Sequence, residues 1–128
     1  MRHFDNVEPM TVLAVAIMLT MAAFAGVPET LGAHPWWGRE AVLIGTFLGA
    51  VLFVALRKTR LTAARLLGIG LLLVAMSAAA AHFGKQFFVN SFADNALAGR
   101  LWYIGWHALP ASLLITSGAA SRFTRGLQ

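Results

Sequence analysis

Cysteine is absent from the 128-residue sequence, which excludes a disulfide framework, a thiol redox centre and a thiolate metal site. Acidic residues are scarce: five Asp and Glu stand against ten Lys and Arg, and none of the five interrupts a long apolar run. Proton-coupled pumps and antiporters need an ionisable group at membrane depth, so that class is disfavoured. The chain also lacks a Gly-x-Ser-x-Gly elbow, a phosphate-cradling glycine loop, a His-x-x-Glu-His metal spacing and paired carboxylates. Ser77, Ser112 and Ser117 have no base at helical spacing, so nucleophilic catalysis by this chain alone is not expected.

What the sequence does have is apolar length. Apolar residues make up 59% of it and charged residues only 12%, a balance that suits lipid as solvent rather than water. The net charge of +5 sits at the ends of apolar runs, and no basic stretch is interleaved with stacking aromatics, so nucleic acid is not an expected partner. The expected fold is a single all-α domain, an integral membrane four-helix bundle with spans near 10–27, 41–56, 66–83 and 101–120.

The first run, Met10 to Val27, follows a polar leader holding Arg2, His3, Asp5 and Glu8, and Pro28 ends it. Its rival reading is a cleaved secretory signal, because Ala23-Phe24-Ala25 has small residues at a cleavage spacing; the acidic leader argues against that. Gly45 and Gly49, one turn apart in the second span, form a Gly-x-x-x-Gly packing face. Gly84-Lys85 is expected to end the third span. The segment Gln86 to Gly99 carries Phe88, Phe92 and Ala96 at helical spacing opposite Asn90, Asp94 and Asn95, which fits either an interfacial helix or a folded-back loop. In the fourth span Ala108, Ser112, Thr116 and Ala120 recur every fourth residue as a small-residue packing stripe around Pro110, where a kink is expected.

Orientation comes from charge. The linker containing Arg57, Lys58, Arg60 and Arg65 has no acid. If it is cytoplasmic, both termini are too, and the cytoplasmic side also gains Arg2, Arg122 and Arg125, leaving only Arg39, Lys85 and Arg100 outside. Trp36, Trp37, Trp102 and Trp106 then fall at outer span ends, where indole rings anchor at the headgroup boundary. This topology suits a bacterial-type inner membrane.

Two histidines are the cofactor candidates. His82 and His107 both lie in the outer halves of adjacent spans, where paired imidazoles could ligate a b-type haem or contact a quinone. His3 and His34 are isolated in sequence and read as surface residues.

Trp37-Gly38-Arg39-Glu40, Phe47-Leu48-Gly49 with Arg57, and Ala108-Leu109-Pro110 together resemble the small four-helix membrane subunit of tripartite ATP-independent periplasmic (TRAP) transporters. That family usually has a longer amphipathic segment between its second and third spans, where this chain has the short basic linker. The resemblance implies a scaffolding partner for a large transport subunit, with no catalytic residues to carry over. The primary expectation is a non-catalytic accessory or scaffold subunit whose partners are the bilayer and other integral membrane subunits or further copies of itself. A transporter subunit and a haem- or quinone-associated electron-transfer subunit are the alternatives.

Overall fold

A computed structural model of the chain describes residues 7–127; Arg2, His3 and Asp5 of the leader lie outside them. The described residues are helical throughout, with no strand: α1 (Val7–Phe24), a single-turn α2 (Val27–Thr30), α3 (Gly38–Arg57), α4 (Ala63–Asn90) and α5 (Ala96–Gly126). Helices α1, α3 and α4 are each long and apolar enough to cross a membrane. Within those spans only 17%, 33% and 22% of residues are buried, so most of their Leu, Ile, Met and Phe side chains face outward. Apolar surface on that scale fits membrane-spanning helices.

Several boundaries differ from the sequence expectation for local reasons. The first helix stops at Phe24 because Gly26 takes a left-handed conformation (φ 82°), and Pro28 then sits in the first turn of α2, where its missing N–H costs nothing. Glu8 consequently lies in the first turn of α1 and is 8% exposed, at the edge of the span rather than before it. Thr62 starts α4 by accepting from Arg65 N–H at 3.2 Å. Gly84-Lys85 does not end that helix, which continues to Asn90.

Of the two readings open for Gln86 to Gly99, the interfacial helix is not present as a separate element. Residues 86–90 extend α4 and 96–99 begin α5. The break is a tight turn in which Phe92 and Ala93 have positive φ (55° and 65°) and Ala93 N–H bonds the carbonyl of Phe88 at 3.0 Å. Asn95 then caps α5, accepting from Ala98 N–H at 3.1 Å.

α5 is the hub. It packs against α1, α3 and α4, whereas α4 touches α5 and no other helix among the described residues. The seam between these two antiparallel helices is built from small residues at every seventh position: Gly70, Ser77 and Gly84 on α4, and Ala98, Gly105, Ser112 and Ala119 on α5, all buried. A seven-residue period keeps one stripe facing the partner along a left-handed pair. A Cβ placed on Gly84 would stand 2.6 Å from Trp102 N, and one on Gly105 would stand 2.5 Å from Ala81 N, so backbone lies directly on backbone. A Cβ on Gly70 would meet the Thr116 hydroxyl first, with Thr116 Cα 3.1 Å away.

The opposite side of α5 receives α3 through Gly45, which faces His107 O and Pro110, and Gly49, which faces Ala111. Toward the far end that contact changes character. Phe53 of α3 and Val12 of α1 fill the space above Gly118, beside a fully buried Leu114. Helix α5 continues through Pro110, whose ring is fully buried against the Gly45 backbone. Hydroxyl groups in this apolar setting bond their own helices, as a medium without water demands: Thr46 donates to Val42 O at 2.7 Å, Ser77 to Leu73 O at 2.6 Å and Thr116 to Ser112 O at 2.7 Å.

Candidate functional site

The polar and aromatic residues gather at one end, where the α1–α3 connector and the α4–α5 turn lie; the basic linker 58–62 closes the other end. Gly32 takes φ 112°, a conformation open to glycine at little cost, and turns the connector so that its carbonyl accepts from Trp102 Nε1 at 3.1 Å. That bond fastens the connector to α5. Trp102 is 6% exposed and forms the hinge of an aromatic cluster: its ring centroid lies 5.2 Å from Trp37, 5.5 Å from His34 and 5.8 Å from Phe88. His34 stacks on Trp37 at 5.3 Å and an interplanar angle of 10°, and Trp37 meets Tyr103 edge-on at 5.1 Å. These separations are those at which ring quadrupoles attract. The Nδ1 atom of His34 accepts from Trp36 N–H at 3.1 Å, so the proton of the neutral ring sits on Nε2.

One opening lies within this cluster and two lie along the α4–α5 pair. An aromatic pocket of about 550 Å³ is lined by His34, Trp37, Phe88, Trp102 and Tyr103, with Arg100 at its edge. A side groove of about 580 Å³ runs between the connector and α4, with His82, Lys85, Gln86 and Asn90 along α4 and Trp106 and Leu109 of α5 behind them. A lateral cleft of about 290 Å³ lies between α3 and α4 and is lined by Leu48, Leu52, Leu73, Ile104 and His107. Helical spacing puts the groove and the cleft on opposite flanks of the α4–α5 seam.

The two candidate histidines are therefore not brought together. His82 is exposed on the side groove, with Phe83 5.1 Å away, whereas His107 lines the lateral cleft under Tyr103, 4.2 Å between ring centroids. His107 Nδ1 lies 2.8 Å from Tyr103 O, and because a carbonyl only accepts, Nδ1 is the donor. Nε2 is then the acceptor of the neutral ring.

The packing residues read from sequence fall where helices meet. Gly45 and Gly49 abut α5, Ser112 and Thr116 face α4, and Ala108 borders the lateral cleft. Of the four tryptophans, Trp36 is 88% exposed, as an interfacial anchor would be, and Trp37 is half-buried. Trp102 and Trp106 are core residues, 6% and 7% exposed, because α5 is enclosed by three helices. Arg57, Lys58, Arg60 and Arg65 are exposed at the opposite end, the guanidinium of Arg57 lying 5.8 Å from the Phe53 ring centroid.

His34 is the residue that sequence reading placed wrongly. It is half-buried among three indoles rather than isolated on the surface. The signal was the four-residue stretch His34-x-Trp36-Trp37, but Trp102, which completes the cluster, is remote in sequence. No group of three His, Asp or Glu residues is placed to hold a metal among the described residues. No family model, curated protein or solved structure matches the chain.

Proposed function

We propose that this chain is a multi-pass inner-membrane protein with four spans and both termini cytoplasmic, acting as a non-catalytic accessory or scaffold subunit of a larger membrane complex. The observation that carries the reading is the one-sided support of α4. A twenty-eight-residue apolar helix held by α5 alone leaves clefts open to lipid on both flanks, and further membrane helices are the natural occupants of such an arrangement. Helix α5 is less apolar than the other three long helices, yet it is enclosed by them, so its Arg100 and His107 need not argue against a fourth span. The excess of Lys and Arg at the linker end supports a cytoplasmic linker.

Two measurements test this. Purification in mild detergent is expected to bring a polytopic partner with the chain; a lone, colourless monomer would overturn the scaffold assignment. For topology, a cysteine at Thr59 should resist a membrane-impermeant thiol reagent in intact cells, while one at Phe92, 95% exposed in the α4–α5 turn, should react. The reverse pattern would invert the orientation.

A second reading, quinone contact, is favoured by His107 alone. His107 borders a cleft of otherwise apolar side chains and two serines, with Nδ1 engaged by Tyr103 O, so a protonated Nε2 could donate to a quinone carbonyl. Quinone-dependent quenching of intrinsic fluorescence that is lost in His107→Ala would support it. A transport role alongside a large TRAP-type subunit would instead require co-purification with that subunit and a periplasmic solute-binding protein.

A further inference from the structure

The side groove has a graded lining whose polar mouth helix packing alone does not use. At its inner part stand Ala78, Ala81, Trp106 and Leu109, all apolar; at its mouth stand His82, Lys85, Gln86 and Asn90. These four recur on one face of α4 at helical spacing, so the polarity rises over about 18 Å, the length of twelve helical residues, from the middle of the span to its connector end. No carboxylate lines the groove. Lys85 is half-buried, with its ammonium beside Gly32 and 5.9 Å from the Trp102 ring centroid. A Cβ on Gly32 would lie 3.5 Å from Lys85 Nζ, so the cation stands directly beside the connector backbone. The last carbonyls of α4 turn inward to the α4–α5 turn, Phe87 O accepting from Ser91 N–H and Phe88 O from Ala93 N–H. The mouth therefore presents donors and positive charge above an apolar channel open to lipid.

We propose that this groove binds one anionic phospholipid, with the phosphate on Lys85 and the His82, Gln86 and Asn90 side chains and an acyl chain lying along Ala78, Ala81 and Leu109. The complementarity is twofold: a cation and amide donors for the phosphate, and the apolar side chains of Ala78, Ala81 and Leu109 below it for an acyl chain. A free phosphate would satisfy only the first half. The basic linker, whose exposed side chains line no such groove, attracts anionic headgroups as a diffuse surface.

The test uses the full chain in detergent with a short-chain phosphatidylglycerol, the matching phosphatidylcholine and inorganic phosphate as separate probes, read by native mass spectrometry and by the thermal unfolding midpoint. Phosphatidylglycerol should give one retained adduct and raise the midpoint, while the other two should do neither. Lys85→Gln is expected to weaken phosphatidylglycerol binding about fivefold, the factor equivalent to the ~1 kcal/mol carried by one basic residue at an anionic surface. Lys85→Arg should retain most of it, and Lys58→Gln with Arg60→Gln should leave the adduct intact. Equal retention of phosphatidylcholine, a phosphate response equal to that of the lipid, or a loss that follows the linker variant instead of Lys85 would each overturn the proposal. The inference rests on the membrane reading but not on any partner. A chain that remained in the aqueous fraction without detergent would sink the membrane reading itself, a result distinct from any of these.

Discussion

The two sides of α5 solve the same packing problem differently. Toward α4 the contact is backbone on backbone at Gly84 and Gly105 and close to it at Gly70, where Thr116 intervenes, with Ser77, Ala98, Ser112 and Ala119 on the same seam. Toward α1 and α3 the contact begins in that manner at Gly45 and Gly49 but ends as a small conventional core of Val12, Phe53 and Leu114. In lipid, hydrocarbon around a helix is as apolar as the side chains, so helices gain by close van der Waals approach rather than by escaping the solvent. A helix with a single neighbour must collect all of that gain along one seam. Helices α1 and α3, which also touch each other, share it among several contacts and tolerate larger side chains.

The sharpest way to break this contrast is to widen the seam. Gly105→Leu would drive a branched side chain into the Ser77–Ala81 backbone and is expected to cost more than the roughly 1–3 kcal/mol typical of overpacking, releasing α4 from α5; reversible unfolding in detergent or protease access to the α4–α5 turn would report it. Gly45→Ala, directed at His107 O and Pro110, should fall within about 1–3 kcal/mol on the other side of the same helix. Trp102→Phe keeps most of the aromatic cluster but removes the bond to Gly32 O, and about 0.5–1.5 kcal/mol is expected by the same unfolding measurement. Gly118→Ala should cost less than Gly45→Ala, because its closest neighbours are the Phe53 ring edge and a Val12 methyl, which can move where backbone cannot. Gly68→Ala meets nothing within 4 Å and should stabilise α4 by about 0.5–1 kcal/mol through helix propensity alone. If Gly105 and Gly118 proved equally tolerant, the distinction between the two faces would fail.

Much of this architecture can be read in the chain itself. The helical class follows from long apolar runs broken at Gly, Pro and charge. The packing role of Gly45 and Gly49 is legible because a pair one turn apart stands out locally. The α4–α5 seam was missed although its signal is present: Gly70, Ser77 and Gly84, and Ala98, Gly105, Ser112 and Ala119, each recur at intervals of seven. A search at intervals of four finds Ala108, Ser112 and Thr116 instead, a stripe that crosses the seam obliquely. Gly84-Lys85 misleads for a related reason, since a glycine beside a charge reads as a helix end when its neighbour across the seam is unknown. The aromatic cluster needs Trp102 to meet His34 and Trp37 across some seventy residues of chain, and no local pattern contains that meeting. The separation of His82 from His107 has the same origin, because flank assignment on either helix depends on where the seam lies.

The turn at Ser91–Asn95 has a consequence for how the chain enters a bilayer. It joins two helices whose matching stripes are already in register, Gly84 facing Ala98 and Trp102 close to the turn and Ser77 facing Gly105 farther along. α5, with Arg100, His107 and Pro110, falls short of the apolarity of the other long helices. Paired with α4 as it emerges, it can hide its weakly polar seam against Gly84 and Ser77 before meeting lipid. On the four-span reading proposed above, insertion as a hairpin would make the order of synthesis part of the fold, with α1 and α3 already in place when the hairpin brings in the helix that packs on both.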